Sequence, residues 1–388
     1  MRVIGQPPLL RKINQRAVLE LLRKQGPMSR AELTRALRLS KSTVSQVVMS
    51  LLERGLVREE GRHPASPGAG GPRRRSVRLE VVPEAGFVVG IDLGGTLLRA
   101  AVADLGGEIR ARHTEPTEHR GLPELLAQLE GAVRQVMTAA HVPADRLLSV
   151  AVGVPGAVSA VNRCVQLCPN LPALQDVELG RLLGDRLRVE VLVENDVNLA
   201  AVGEKWKGCA RGVDSFAYLA IGTGLGMGIV LENRLYRGTR GIAGEIAYLP
   251  YLTSSGPKPL ESVIAGGSIR RRFGVEARDL FQAARAGDAK AIEVVHEIGT
   301  ALGWAVAAVT VLLDVGLIVL GGGIGQNTDL LLPRISAQAA ALVPVRPEIR
   351  ASALAGEASM YGAIAVALRT GRDSVEEMGS YVALTGCD

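Results

Sequence analysis

One device occurs twice in this chain and constrains its fold more than any other feature: an apolar run, a tight glycine turn and a second apolar run. Phe87 to Leu93 is apolar and ends on Asp92-Leu93-Gly94-Gly95-Thr96, after which Leu97 to Asp104 and Glu108 to Thr114 read as strands around Gly106-Gly107. Tyr218 to Ile221 repeats the pattern, leading into Gly222-Thr223-Gly224-Leu225-Gly226-Met227-Gly228 and then Ile229 to Leu231. A lone Gly-Gly pair is an ordinary hairpin turn. Two copies, one in each half of a body of alternating strands and helices, predict two related α/β lobes gripping one polyphosphate. Glycine lets backbone N–H groups approach an anion closely, a threonine adds a hydroxyl, and a carboxylate orients phosphate or holds hydrated magnesium. On that chemistry Asp92, Gly94, Gly95, Thr96, Gly222, Thr223 and Gly224 are the candidate phosphate contacts. A third strand, Leu317 to Leu320, runs into Gly321-Gly322-Gly323, where Gly322 and Gly323 offer flat backbone to a base and ribose. No G-x-x-x-x-G-K-[ST] occurs, and none of these turns has the strand–G-x-G-x-x-G–helix context. A P-loop ATPase and a dehydrogenase are therefore set aside.

Carboxylates and amides follow the same logic. Val189 to Val193 reads as a strand that runs into Glu194-Asn195-Asp196 and then a helix from Val197 to Lys207. Asp196 thus sits at the C-terminal edge of a sheet, where α/β clefts open, and is placed to accept a proton from a sugar hydroxyl during phosphoryl transfer. Asn195 is placed to hold neighbouring hydroxyls, though Asn and Asp before a helix are also ordinary N-caps. Glu245 and Glu261 lie in a loop-rich stretch, and Asn170 follows Pro169, downstream of Gly153-Val154-Pro155-Gly156. A carboxylate accepts two hydroxyl hydrogens, which suits polyols; a lone surface glutamate is more often merely solvated.

The charge is divided along the chain. Residues 1–80 hold 17 Lys and Arg against 6 Asp and Glu, whereas the remainder holds 28 against 33. A basic segment ahead of a mildly acidic body is the footprint of a domain that neutralises phosphates. Within it, Ile13, Ala17, Val18, Leu21 and Leu22 form a helical stripe ended by Gly26-Pro27. Ser29 and Glu32 make a capping box for a short helix to Leu37, and Ser40 caps a third whose buried stripe is Val44, Val47, Val48, Leu51 and Leu52. The opposite face presents Lys41, Ser42, Ser45, Gln46 and Met49, small or polar side chains suited to a major groove. Leu56 to Arg58 and Ser76 to Leu79 read as strands flanking a Gly/Pro/Arg-rich wing, 61–75, whose Arg73, Arg74 and Arg75 would reach backbone or minor groove.

At 388 residues and 47% hydrophobic, the chain can bury cores for two or three domains. The longest apolar stretch, Ala301 to Leu313, stops at Asp314, short of the roughly 20 residues a bilayer span needs. No charged-then-apolar leader opens the chain, so the expectation is a cytoplasmic protein with no membrane partner. Four scattered cysteines, Cys164, Cys168, Cys209 and Cys387, do not make a disulfide framework.

In order along the chain stand D-L-G-G-T (Asp92–Thr96), G-V-P-G (Gly153–Gly156), E-N-D (Glu194–Asp196), G-T-G-x-G-x-G (Gly222–Gly228), G-x-x-G-E (Gly241–Glu245) and G-G-G (Gly321–Gly323). The set resembles the ROK family of repressors, open reading frames and sugar kinases, and residues 1–82 resemble the winged helix-turn-helix of bacterial repressors. The resemblance implies an α/β body with a two-lobed actin-like, hexokinase-like (ribonuclease H-like) ATPase fold: one lobe over 85–198, with a returning helix near 372–384, and the other over 199–370. It implies Asp196 as catalytic base, Asn170, Asn195, Asp196, Glu245 and Glu261 as sugar contacts, and ATP with magnesium as cofactor. It also implies operator DNA and a small sugar as partners, and assembly as a homodimer or homotetramer. One departure stands out. The family follows G-E with Gly-His and a cysteine-rich zinc loop, whereas Ala247-Tyr248 follows here and no Cys or His lies between Glu245 and Glu261, so no zinc or other protein-held metal is expected.

Two readings follow: a sugar-responsive transcriptional regulator, most simply a repressor, or an ATP-dependent hexose kinase of glucokinase type that keeps Asp196 as base. For the DNA arm the division of labour is testable. Gln46→Ala loses sequence preference, while Arg74→Ala weakens binding to every DNA and lowers the slope of log affinity against log salt by about one. Titrations of cognate and scrambled duplexes at several salt concentrations check this, and equal effects of the two substitutions would refute it.

Overall fold

The computed structural model describes residues 8–63 and 76–378. The chain opens with α1 (Pro8–Gln25), β1 (Met28–Ser29), α2 (Arg30–Leu37), α3 (Lys41–Glu53), β2 (Val57–His63) and β3 (Ser76–Val81). Ser29 and Glu32 cap α2 reciprocally, and Ser40 caps α3 by accepting from the Thr43 N–H. Val44, Val47, Val48 and Leu51 of α3 are buried, and the strands pair in the order β1-β3-β2. This is a winged helix-turn-helix. The wing starts later than expected: β2 runs on to His63, with a register shift between Glu60 and Arg62 that makes Gly61 a bulge. The expected wing contacts Arg73, Arg74 and Arg75 lie outside the described residues.

The first lobe comprises β4 (Phe87–Leu93), β5 (Leu97–Asp104), β6 (Ile109–Pro116), α4 (Leu122–Ala139), β7 (Leu147–Val154), a small hairpin of β8 (Ala157–Val158) and β9 (Val165–Gln166), α5 (Leu179–Leu187), β10 (Glu190–Asn195) and α6 (Asp196–Lys207). Its sheet has the order β10-β7-β4-β5-β6. The second lobe begins with β11 (Phe216–Ile221), β12 (Leu225–Leu231), β13 (Arg234–Leu235) and a hairpin of β14 (Pro250–Thr253) and β15 (Gly256–Pro259). It continues with α7 (Glu261–Ile264), α8 (Gly266–Phe273), α9 (Ala277–Arg285), α10 (Ala289–Leu313), β16 (Leu317–Gly321), α11 (Gly322–Gly325), α12 (Thr328–Leu342), β17 (Glu348–Ala351) and α13 (Ala358–Met378). Its sheet has the order β13-β12-β11-β16-β17.

The two sheets share one topology. In each, the first strand pairs antiparallel with the second and parallel with the fourth, so β4, β5, β6, β7 and β10 correspond to β11, β12, β13, β16 and β17. Every residue of β4 is buried, as expected of a strand covered on both faces. One face of each sheet packs on its own helices: α4 and α5 in the first lobe, α8 to α10 and α12 in the second. By length and composition α10 could cross a membrane, longer than the stretch Ala301 to Leu313 suggested, but 67% of its most apolar window is buried inside the second lobe. The glycine run after β11 is also reassigned. Gly226 and Gly228 belong to β12, which leaves Gly222 to Gly224 as the turn.

The other faces are covered by the final helix of the opposite half. Helix α6 lies on β11 and β12, whereas α13 lies on β4 and β7. The return to the first lobe, expected near 372–384, is made by α13, and the part of that expectation from 379 on lies outside the described residues. The two helices cross in near backbone contact. A Cβ on Gly362 would sit 1.8 Å from the Leu199 carbonyl oxygen, and one on Gly203 would sit 2.2 Å from that of Ala358. Gly362→Ala is therefore expected to cost about 3 kcal/mol or more by forcing the helices apart. Gly131→Ala on α4, where nothing lies within 4 Å of the added carbon, should stabilise by about 0.5–1 kcal/mol. Thermal unfolding of both variants checks the pair.

Candidate functional site

Both glycine turns open into one cleft of about 670 Å³ between the lobes. The first turn, between β4 and β5, is closed by the Gly94 N–H donating to the Leu97 carbonyl, and the Thr117 hydroxyl holds the Gly94 carbonyl. The second, between β11 and β12, is closed by the Gly222 N–H to the Gly224 carbonyl. Asp92, Gly94, Gly95, Asn170, Asn195, Asp196, Gly222, Thr223, Gly224, Glu245, Glu261 and Gly322 all line this cleft. Thr96 does not; it is exposed, and its carbonyl accepts from the Thr117 N–H. Gly323 lines a second cavity of about 880 Å³, with Arg270, Arg278, Arg285 and Asn327. Gly222 and Thr223 line both spaces and so join them. The third glycine turn is less flat than its sequence suggested: Gly322, at φ +76°, starts the short helix α11, and a Cβ there would meet the Ile221 carbonyl oxygen at 2.4 Å.

The carboxylates occupy distinct electrostatic settings. Asp92 ends β4 opposite Arg99, whose guanidinium donates to it at 3.1 Å. Burial raises the Asp92 carboxyl, opposed by the Ser359 hydroxyl and by Arg99. Asp196 opens α6; burial, and then the charge of Asp92, push its carboxyl up to about 7. Glu245 is likewise raised, by burial first and then by Glu261. Glu261 spends one oxygen on the Leu225 N–H at 2.9 Å, which ties it to the second glycine turn as well as to the cleft. Asn195 is the N-cap of α6, accepting from the Asn198 N–H and donating to the Gly156 carbonyl at 3.2 Å. Capping and cleft lining thus coexist in one side chain, with one lone pair and one N–H left over.

Two cleft residues, Arg99 and Arg271, and one ion pair between the lobes were not anticipated. Arg99 was legible in principle, because a hairpin that pairs Leu93 with Leu98 must set Asp92 opposite Arg99. Arg271, on α8, lines the cleft while donating to the Ser268 hydroxyl; nothing in the sequence places α8 there. Arg237, in the loop before Gly241-Ile242-Ala243-Gly244-Glu245, pairs across the lobes with buried Glu194, which also holds Asn198. The first acid of Glu194-Asn195-Asp196 is thereby structural, whereas the last, Asp196, lines the cleft.

On the winged helix, Lys41, Ser42, Ser45 and Gln46 are exposed together along α3, with Ser42 sharing a hydroxyl contact with the Ser40 cap. They form one face free of apolar cover except for Met49, which is 56% exposed.

The geometry has known counterparts. Residues 88–370 match the ROK family, and residues 12–65 match the MarR family. A putative xylose repressor from Caldicellulosiruptor sp. is 33% identical over 251 residues, 63% of this chain and 60% of that protein. The chain thus spans less than two thirds of the length of the xylose repressors it matches. A ROK family transcriptional regulator, homologous to the E. coli MLC protein, superposes with a TM-score of 0.77 at 24% identity, covering 95% of this chain and 98% of that one. The ROK hexokinase from Thermus thermophilus superposes with a TM-score of 0.64 at 31% identity, covering 74% of this chain and 99% of its own.

The raised Asp196 carboxyl has a consequence for stability. Between its ordinary 3.8 and about 7 the folded chain holds a proton that the unfolded chain has lost, so this contribution to stability is lost as pH rises across that window. Asp196→Asn, which mimics the protonated acid, should melt higher than the parent at pH 8, with the difference shrinking toward pH 4. Melting curves from pH 4 to 8 measure it; parallel curves for the two proteins would remove the assignment.

Proposed function

The chain belongs to the ROK family, and on that premise we propose that it is a sugar-responsive transcriptional repressor whose kinase-like body senses its effector in the interlobe cleft. The observation that carries this reading is the course of α13. Its first turn packs behind the strand that carries Asp92 into the cleft, with Ser359 facing Gly153 and bearing on Asp92. Its last turns hold the winged helix: the Arg54 guanidinium donates to the Val375 carbonyl, and Arg16 pairs with Asp373 at 3.3 Å. Val18, Leu22 and Val47 of the DNA-binding unit share one apolar core with Leu368 and Val375. A change in lobe angle at one end of a rigid helix is then delivered to the DNA-binding face at the other.

A sugar acts on such a system only through its different affinities for the open and closed lobes, and a coupling of about 1–3 kcal/mol changes operator affinity about 5–150-fold. The match to a putative xylose repressor makes a pentose such as xylose the first effector to test. The chain is read as a dimer on DNA, since two winged helices must meet half-sites about 34 Å apart and a small rotation breaks that register. Asn170, Asn195, Asp196, Glu245 and Glu261 are assigned to the sugar, and Lys41, Ser42, Ser45 and Gln46 to base edges and phosphates.

A second reading, residual sugar kinase activity, is favoured by the retention of Asp92, Asp196 and both glycine turns around one cleft. The joined cavities fit a nucleotide: glycine backbone and Thr223 for phosphates, with the guanidinium groups of Arg270, Arg278 and Arg285 lining the space beyond. Bound ATP would supply the phosphoryl group, and Asp92 would orient the hydrated magnesium that accompanies it. Asp196 would take the proton of the sugar hydroxyl, a role suited by a carboxyl that ionises near neutrality.

Genomic footprinting, followed by anisotropy titration of the bound sites with a panel of aldoses and their glycosides, tests the repressor reading; DNA affinity unmoved by every member of the panel sinks it. A coupled ADP-release assay on the same panel, against Asp196→Asn, tests the kinase reading in parallel. The α13 route predicts that combining Arg16→Ala with Asp373→Ala leaves affinity for sugar and for operator within about threefold of the parent. The sugar-induced change in operator affinity should fall by at least threefold. An undiminished response in the double variant would show that coupling runs elsewhere.

A further inference from the structure

Among the described residues, Tyr248 and Leu167 are the two large apolar side chains of the cleft that the protein leaves exposed. Tyr248 is 65% exposed and Leu167 46%, although both line the cleft. They come from opposite lobes and stand in matched positions. Leu167 precedes Asn170 by three residues and Tyr248 follows Glu245 by three, with the Tyr248 N–H donating to the Glu245 carbonyl. Each thus lies three residues along the chain from a polar residue already assigned to sugar and lines the same cleft as it.

The Leu167 backbone is in the left-handed region, at φ +51°. A leucine there is strained, and strain of this kind persists only where surrounding structure imposes it. The imposing contact is visible. A Cβ on Gly156 would sit 2.8 Å from the Gln166 carbonyl oxygen and 2.9 Å from the Cys168 Cβ, so the backbone on both sides of Leu167 is pressed onto the Gly153–Gly156 turn. Cys168 is buried, yet the strained side chain between these anchors points to no core. Burial does not offset the strain. Tyr248 occupies the position after Ala247 where the sequence departs from its family's metal loop, and the hairpin of β14 and β15 follows it directly. Its ring keeps open a face that a metal-binding side chain would not provide.

A pyranose presents hydroxyls at its edge and C–H groups on its faces. The edge is matched by the carboxylates and amides of the cleft, whereas aromatic and branched aliphatic side chains match the faces. The polar group of Asn170, Asn195, Asp196, Glu245 and Glu261, which lines the same cleft, is assigned to the hydroxyls of one ring. We propose that Tyr248 and Leu167 form an apolar subsite for a second ring, so that the ligand of this cleft is a glycoside, either a disaccharide or an aryl glycoside, and not a free monosaccharide. This rests on the reading of the cleft as a sugar site and specifies its ligand class.

Calorimetric titration of the full chain with methyl and p-nitrophenyl β-D-xylopyranoside, the matching β-D-glucopyranosides, xylobiose and cellobiose tests the subsite. The p-nitrophenyl glycoside or disaccharide of the preferred sugar should bind at least tenfold tighter than its methyl glycoside. Tyr248→Ala should collapse that ratio to within about twofold of one, and Tyr248→Phe should preserve it, because the ring face and not the hydroxyl makes the contact. Leu167→Gly separates function from folding. It relieves the left-handed strain, so its melting temperature should rise while the ratio falls. Equal affinity for methyl and two-ring ligands overturns the subsite but leaves the sugar reading intact. An equal loss for both ligand classes in Tyr248→Ala places the ring on the first sugar and overturns it too. Absence of binding by every glycoside together with binding of free xylose or glucose also overturns it, whereas absence of binding by all sugars defeats the sugar reading along with it.

Discussion

The crossing of α6 and α13 sets everything else in place. Each helix leaves one lobe and covers the sheet of the other, and they meet where Gly203 and Gly362 remove the side chains that would hold them apart. Helix axes that approach this closely can rotate about the contact more readily than they can separate, since separation opens voids while rotation preserves packing. The crossing is therefore both the joint between the lobes and the reason that they stay registered. Asp196 opens α6 in the cleft itself, and Ser359, in the first turn of α13, bears on Asp92, another cleft residue.

A buried carboxylate reinforces that joint. Glu204 of α6 is fully buried and accepts from the Cys209 N–H, the Ser352 hydroxyl and the Leu354 N–H. These donors belong to the turn after α6 and to the segment that leads from β17 into α13, so one side chain pins the exits of both lobes. A carboxylate satisfied by several donors is tolerated in the interior where an isolated one is not. The cleft carboxylates are different. Asp92, Asp196 and Glu245 are all raised by burial, and their remaining hydrogen-bonding capacity faces the cavity. Polar groups gathered in this way cost stability in the empty protein, and a ligand rich in hydroxyl groups would recover part of that cost.

Much of this architecture was legible because it rests on local chemistry. The capping box at Ser29, the apolar stripe of α3 and the strand runs into Gly94 and Gly222 each report a backbone conformation that the residues themselves dictate. What was not legible depends on placement in space. Nothing near Arg271 signals that α8 delivers it to the cleft, and nothing near Leu167 signals a left-handed backbone, because the cause lies at Gly156. Arg99 is intermediate: its pairing with Asp92 follows from hairpin register, but only once the turn is known to be closed by Gly94 and Leu97. The third glycine run misled in detail, because three glycines read as a flat loop, whereas the positive φ of Gly322 starts a helix turn.

A body that senses a sugar can keep the residues of a catalyst for a physical reason. A kinase cleft must close on its sugar to exclude water and align the acceptor hydroxyl, and a sensor must close on its sugar to move a distant element; the first requirement contains the second. Glycine turns open to a ligand, a carboxylate that ionises near neutrality and a crossing that permits rotation would serve closure whether or not a phosphoryl group is transferred. On the proposed reading, the addition that would turn closure into regulation is small: Arg54 and Arg16 reaching α13, and an apolar core shared between the winged helix and the first sheet. An exposed ion pair such as Arg16–Asp373 contributes only about 0–1 kcal/mol, so the shared core fixes the attachment, while this pair and the Arg54 hydrogen bond set its angle. DNA affinity is sensitive to that angle, because two reading helices must fit a duplex of fixed pitch.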